Sequence, residues 1–199
     1  MLKLDKIDFN EEPYIYKTEI EGFYIIRRPK FGDDRGSFQE HFRIPDIEKA
    51  LGHEVKIMQS QTSTSQPNVL RGIHAEDQVK IITPLTGKIM VAIVDLRPDS
   101  KTFKKHIAFD IDNTDLSARF TTICLERGLA NSFYVYPDSE RLIYTYSVSG
   151  IYDPKNNGRG VKYDDPTLNV EWPTNSPIVS DRDRQMPNLE DFVEKFYGK

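Results

Sequence analysis

The sequence contains a single cysteine, Cys124, so no disulfide can form within the chain and a reducing compartment is the default expectation. Long hydrophobic runs are missing too. No window approaches the ~20 apolar residues that span a bilayer, and the opening MLKLDKIDFNEEP has no apolar stretch able to act as a secretory signal. There is no basic excess: 27 Lys and Arg stand against 31 Asp and Glu, a formal net charge of −4. Such a chain has no cationic field for a polyanion, so a phosphate ligand must be met by a few placed arginines and lysines. Neither a nucleic-acid nor a membrane partner is expected. Histidines are few, only His41, His53, His74 and His106, and none form an HxH pair. A metal-binding barrel site normally converges two or three imidazoles with a carboxylate. No metal and no cofactor is therefore expected.

What is present suits one soluble, cytoplasmic domain over residues 1–199. The chain is 38 % hydrophobic and 29 % charged, which is enough for a real core. Most apolar runs are short, rich in β-branched and aromatic residues, and separated by Gly, Pro, Asn and Asp. Strands are expected over 23–28, 54–60, 88–96, 105–110, 132–136 and 142–147, with turns at 32–36, 85–87 and 137–139. Many short strands at close spacing predict an all-β sandwich or barrel. Two helices are expected. One runs over 45–51, opening at Pro45 and stopping at Gly52. The other follows Asn188 as N-cap, with Leu189, Phe192, Val193 and Phe196 on one face. Both read as packing elements.

The most informative stretch is 59–80, QSQTSTSQPNVLRGIHAEDQVK, where a hydroxyl-rich run leads into Arg71-Gly72-Ile73-His74 and then Lys80. If Arg71, Ile73 and Lys80 lie on a strand pair, alternation would line one barrel face with polar groups. Equally, His74 and Lys80 could sit at a strand end in water. Tyr144 and Tyr146 would share a face of a later strand, where ordinary barrel aromatics are the simpler reading. Asp183 lies in a charged segment, where a solvated salt bridge is the ordinary expectation.

Taken in order, FGDDRGSFQEHF, NVLRGIH followed by Lys80, GKIMVAIVDLRPDSKTF, YDDPTLNVEWP and SDRD resemble the dTDP-4-dehydrorhamnose 3,5-epimerase family over about 31–187. The resemblance implies a cupin-like jelly-roll (double-stranded β-helix) barrel with a few short helices, one of them C-terminal, assembled as a homodimer. It implies an isomerase acting at C3, C5 or both of a nucleotide-linked 4-keto-6-deoxy sugar. In that scheme His74 is the base, Asp183 orients it, Lys80 meets the enolate oxygen and Tyr144 returns a proton from the opposite face. General-base catalysis supplies roughly 10²–10⁴-fold, so a preorganised cation at the enolate is needed as well. The resemblance also implies that Arg71 grips the diphosphate, that Arg35 and Glu40 reach the nucleotide across a dimer interface, and that Gln59 and Gln61 line the site. Tyr152 corresponds to an aromatic beside the nucleotide.

Two departures stand in the same region. The family's usual AHGF reads Ala130-Asn131-Ser132-Phe133, so a second histidine has become Asn131, which can still bind substrate but cannot titrate. The usual RGxHxQ continues as Ala75-Glu76. Both resemble variant members acting on other 4-keto sugars, including GDP-linked heptoses, so thymidine specificity is not carried over. A non-catalytic nucleotide-sugar-binding module on the same barrel is the alternative that Asn131 favours.

Overall fold

The computed structural model describes residues 5–6, 14–115, 119–151, 153 and 159–199. Its strands are β1 (Asp5–Lys6), β2 (Ile15–Lys17), β3 (Phe23–Arg28), β4 (Lys30–Asp33), β5 (Gly36–Gln39), β6 (Gln59–Ser65), β7 (Leu70–Ala75), β8 (Lys80–Thr86), β9 (Lys88–Asp95), β10 (His106–Asp112), β11 (Phe120–Leu125), β12 (Leu129–Val135) and β13 (Leu142–Val148). The helices are α1 (Ile44–Leu51), α2 (Asp181–Arg184) and α3 (Leu189–Tyr197). Two antiparallel sheets, ordered β1-β2-β3-β11-β8-β13-β6 and β10-β9-β12-β7, make the jelly roll, and β4-β5 forms a separate hairpin.

The inner faces meet in one core, where Phe23, Ile25, Ile82 and Ile123 of the larger sheet pack against Val91, Ile93, Phe133 and Val135 of the smaller. Both outer faces are covered as well. Helix α1 lays Ile47 over Ile26, Ile81 and Cys124, and α3 lays Leu189 and Phe192 over Ile73, Val94 and Ala130. Strands sandwiched this way lose the apolar–polar alternation of a half-solvated sheet. Every residue of β11 and β12 is buried, the polar Thr121, Thr122, Asn131 and Ser132 included.

Both expected helices form. Pro occupies the first turn of α1, Gly52 ends it in the left-handed region at φ 80°, and the Asn188 side chain accepts the Asp191 N–H at the start of α3. The strand expected at 54–60 begins only at Gln59 and runs on to Ser65 as β6. Residues Val55 and Ile57 alternate because they pack beside α1 on the outer face of the sheet, not because they belong to it.

Candidate active site

One cleft opens between the two sheets and is lined from both sides. The larger sheet contributes Gln61 and Ser63 of β6, Lys80 of β8, and Tyr144 and Tyr146 of β13. Alternation along β13 does put both tyrosines on this face, and register pairs them with Ser63 and Gln61. The smaller sheet contributes Arg71 and His74 of β7 and Asn131 and Phe133 of β12.

Arg71 and His74 are three positions apart, so simple alternation would put them on opposite faces. A bulge reconciles them. Asn131 pairs with His74 and Phe133 with Arg71, which leaves Gly72 and Ile73 opposite Ser132 alone. The expected set of Arg71, Ile73 and Lys80 on one face is thereby corrected: Ile73 is buried in the outer core against α3, and His74 takes its place in the cleft. Gly72 is indispensable to this turn. Its φ is +127°, and a β-carbon there would lie 2.4–2.8 Å from atoms of Ser132.

His74 Nε2 lies 2.8 Å from Asp183 Oδ1, and the Gly72 N–H donates to Asp183 Oδ2 at 3.2 Å. One carboxylate thus holds both the imidazole and the bulge beneath it. Asp183 is only 3 % exposed, contrary to the solvated salt bridge expected of its segment. Short helix α2 delivers it, with the Ser180 hydroxyl accepting the Asp183 N–H at 3.2 Å. Burial alone would raise the Asp183 pKa, but the hydrogen bond and charge of His74 together with the Gly72 N–H outweigh it and hold the carboxyl below its usual 3.8.

Across the cleft, Lys80 is 7 % exposed, its ammonium donating to Glu76 Oε1 at 2.8 Å and to Asn131 Oδ1 at 3.2 Å. Burial pulls its pKa below 10.5 while Glu76 opposes that. Asn131 Nδ2 donates to the Tyr144 hydroxyl at 3.3 Å. Tyr144 is buried against Phe133, ring centroids 4.6 Å apart, and burial, with Tyr146 and Glu76 nearby, pushes its phenol well above the ordinary 10. The group therefore keeps its proton at neutral pH. Arg71 is anchored by Ser65 Oγ at 3.0 Å and the Thr64 carbonyl at 2.9 Å.

Not every expected residue gathers here. Gln59 stands two positions before Gln61 on β6, beyond the cleft wall among the described residues. Arg35, its side chain 89 % exposed, pairs with Asp33 at the tip of the β4-β5 hairpin, and Glu40 is held by Arg28 and Arg43 near the foot of α1. Tyr152 lies outside the described residues. Conversely, the cleft includes Gln78, Arg159 and Arg182, which the motifs did not single out, and Glu76, which the motifs marked only as a departure from the family's glutamine. Arg159 arrives because residues 159–161 pair with β7, the Ala75 N–H donating to the Arg159 carbonyl at 3.0 Å. A signal did exist for Arg182, the neighbour of Asp183, and for Glu76, which stands four residues before Lys80 across a tight turn.

Residues 17–191 match the family of dTDP-4-dehydrorhamnose 3,5-epimerase. The chain belongs to that family. The enzyme of that name from Shigella flexneri is 31 % identical over 187 residues, covering 92 % of this chain and 98 % of its own. A dTDP-4-dehydrorhamnose 3-epimerase from Streptomyces niveus is 33 % identical over 169 residues, 83 % of this chain and 78 % of the relative. Among solved structures, the Legionella pneumophila epimerase in complex with dTDP-4-keto-L-rhamnose superposes with a TM-score of 0.78 at 29 % identity, covering 88 % of this chain and 92 % of that one. The expected family, cupin-like fold and isomerase class therefore all hold for this epimerase-family chain. No helix among its described residues is long and apolar enough to cross a membrane.

Proposed function

We propose that the chain epimerises a nucleoside-diphosphate-linked 4-keto-6-deoxy sugar at C3, C5 or both, without a cofactor. The observation that carries this reading is that His74 and Tyr144 face one cleft from opposite sheets. Inversion beside a ketone needs just this: a base that removes the proton from one face and an acid that returns one to the other. Asp183 holds one imidazole nitrogen, leaving the other for the substrate carbon and stabilising the imidazolium that forms. Lys80, charged and nearly dry, meets the enolate oxygen, where a fixed cation acts far more strongly than in water. The buried phenol of Tyr144 is a proton donor at neutral pH. Arg71, Arg159 and Arg182 give the cleft three guanidinium groups suited to a diphosphate. Gln61 and Asn131 supply polar contacts to the sugar.

The reading extends to assembly. Phe31 and Phe38 pair across the β4-β5 hairpin and are 61 % and 72 % exposed, an apolar surface that a second copy would cover. A homodimer built there would carry Arg35 and Glu40 toward a neighbouring nucleotide. A single cysteine, with no partner in the chain for a disulfide, suits the cytoplasm.

The test is incubation with dTDP- and GDP-linked 4-keto-6-deoxy sugars in heavy water. Deuterium at C3, C5 or both supports the proposal and counts the inverted centres. Tight binding with no label at either carbon would instead make the protein a binding module.

A further inference from the structure

Glu76 and Asn131 stand where the family usually has glutamine and histidine, and in this chain they form one hydrogen-bonded line, Glu76–Lys80–Asn131–Tyr144. The line has a direction. An ammonium has three donors and no acceptor, so the atom of Asn131 facing Lys80 must be its carbonyl oxygen. The amide N–H₂ is then turned toward Tyr144 and donates to the phenol oxygen. With that oxygen engaged as an acceptor, the single O–H of Tyr144 is left to donate elsewhere, and its ring lines the cleft.

We propose that Glu76 and Asn131 are positioning residues that set the protons of the two groups between them: Glu76 holds the Lys80 ammonium, and Asn131, oriented by Lys80, aims the Tyr144 proton into the cleft. The proposal rests on the epimerase reading above and deepens it. Among the described residues, the groups facing Lys80 fit this role. Glu76 lies just after β7, Asn131 on β12, the Tyr146 ring on β13 at 5.1 Å, and Arg182 on α2 is a like charge opposing it. In a site this dry the ammonium would readily lose its proton without the carboxylate. A histidine at position 131 could play the same part while neutral, accepting from Lys80 at one nitrogen and donating to Tyr144 from the other. Once protonated it has no acceptor for Lys80. Asparagine does the work without titrating, so the relay keeps its polarity as pH falls.

Two experiments separate this inference from the epimerase reading. The first needs no substrate: the Lys80 ammonium, labelled with ¹⁵N and assigned through Lys80→Arg, is titrated by NMR in the wild type and in Glu76→Gln. The inference requires the midpoint to move to lower pH in Glu76→Gln, and an unchanged midpoint overturns it whether or not the protein is an epimerase. The second follows inversion of dTDP-4-keto-6-deoxyglucose, or of whichever sugar the wild type labels. Asn131→Asp, nearly the same size, presents a second acceptor to Tyr144, draws its proton away from the cleft and should lose about 10²-fold in inversion. Asn131→His should recover much of that loss above pH 7 and show a new acid limb below the ordinary imidazole value of about 6.5, because burial and the Lys80 ammonium both disfavour the imidazolium. Inversion by Asn131→Asp at the wild-type rate, or an Asn131→His profile with no added limb, would contradict it. Thermal unfolding of each variant excludes a folding defect, which would lower the rate without adding a limb.

Discussion

Asp183 accepts from His74 through one carboxylate oxygen and from the Gly72 backbone N–H through the other, so one side chain fixes the candidate base and the bulge that turns it into the cleft. Asp183→Asn preserves the shape but offers an amide to the imidazole, favouring a different tautomer and withdrawing the charge that stabilises the imidazolium. We expect deuterium exchange to fall by about 10²–10⁴-fold with little change in substrate affinity. Exchange rates and KM measured side by side check both halves of that statement.

The same carboxylate links stability to pH. Its pKa is depressed in the folded protein, so its stabilising contribution is complete above the ordinary value of 3.8 and is lost as pH falls through the folded value. Urea unfolding of the wild type and Asp183→Asn should therefore show a gap at pH 7 that narrows at pH 3. A gap of constant size would mean that the pairing with His74 contributes nothing.

Gly72→Ala should fail more broadly. A methyl group there would overlap Ser132, and the positive φ adds strain. Crowding of this kind costs about 1–3 kcal/mol, and relaxing it must move His74 or Arg71. Loss of exchange is expected together with a lower Tm. Phe192→Ala, in contrast, removes a ring that α3 packs behind β7. It should cost about 3–5 kcal/mol of stability, measured by denaturant unfolding, without touching any cleft side chain.

Phe38→Asp tests the hairpin surface. A charge in place of an exposed aromatic leaves the fold intact but would be buried unpaired in a dimer. Light scattering should report a monomer for the variant and a dimer for the wild type.

Much of this was legible in the sequence, for identifiable reasons. Helices α1 and α3 announced themselves through Pro45, Gly52 and Asn188, because caps and turns are local chemistry. His74, Lys80, Tyr144 and Asp183 were drawn out by motif resemblance, and the fold brings His74 and Asp183 into contact across 109 residues. Alternation failed where it had to fail. It cannot see the extra residue at Gly72-Ile73, since a bulge depends on what the partner strand offers, here Ser132. It read Val55 and Ile57 as strand because burial beside a helix repeats the same period. The solvated reading of Asp183 missed its burial because its partner lies far away in the chain. Arg159 escaped notice for a related reason: it enters the cleft through a pairing with β7 that only the folded chain reveals.

The most direct test of the central claim is His74→Asn assayed beside Tyr144→Phe in heavy water, both checked for a native fold. If His74 removes the proton and Tyr144 returns one from the opposite sheet, His74→Asn should neither exchange nor invert. Tyr144→Phe should still take up deuterium, with the configuration retained, because the imidazole can return a deuteron to the face it came from. Exchange at the wild-type rate by His74→Asn would contradict the account.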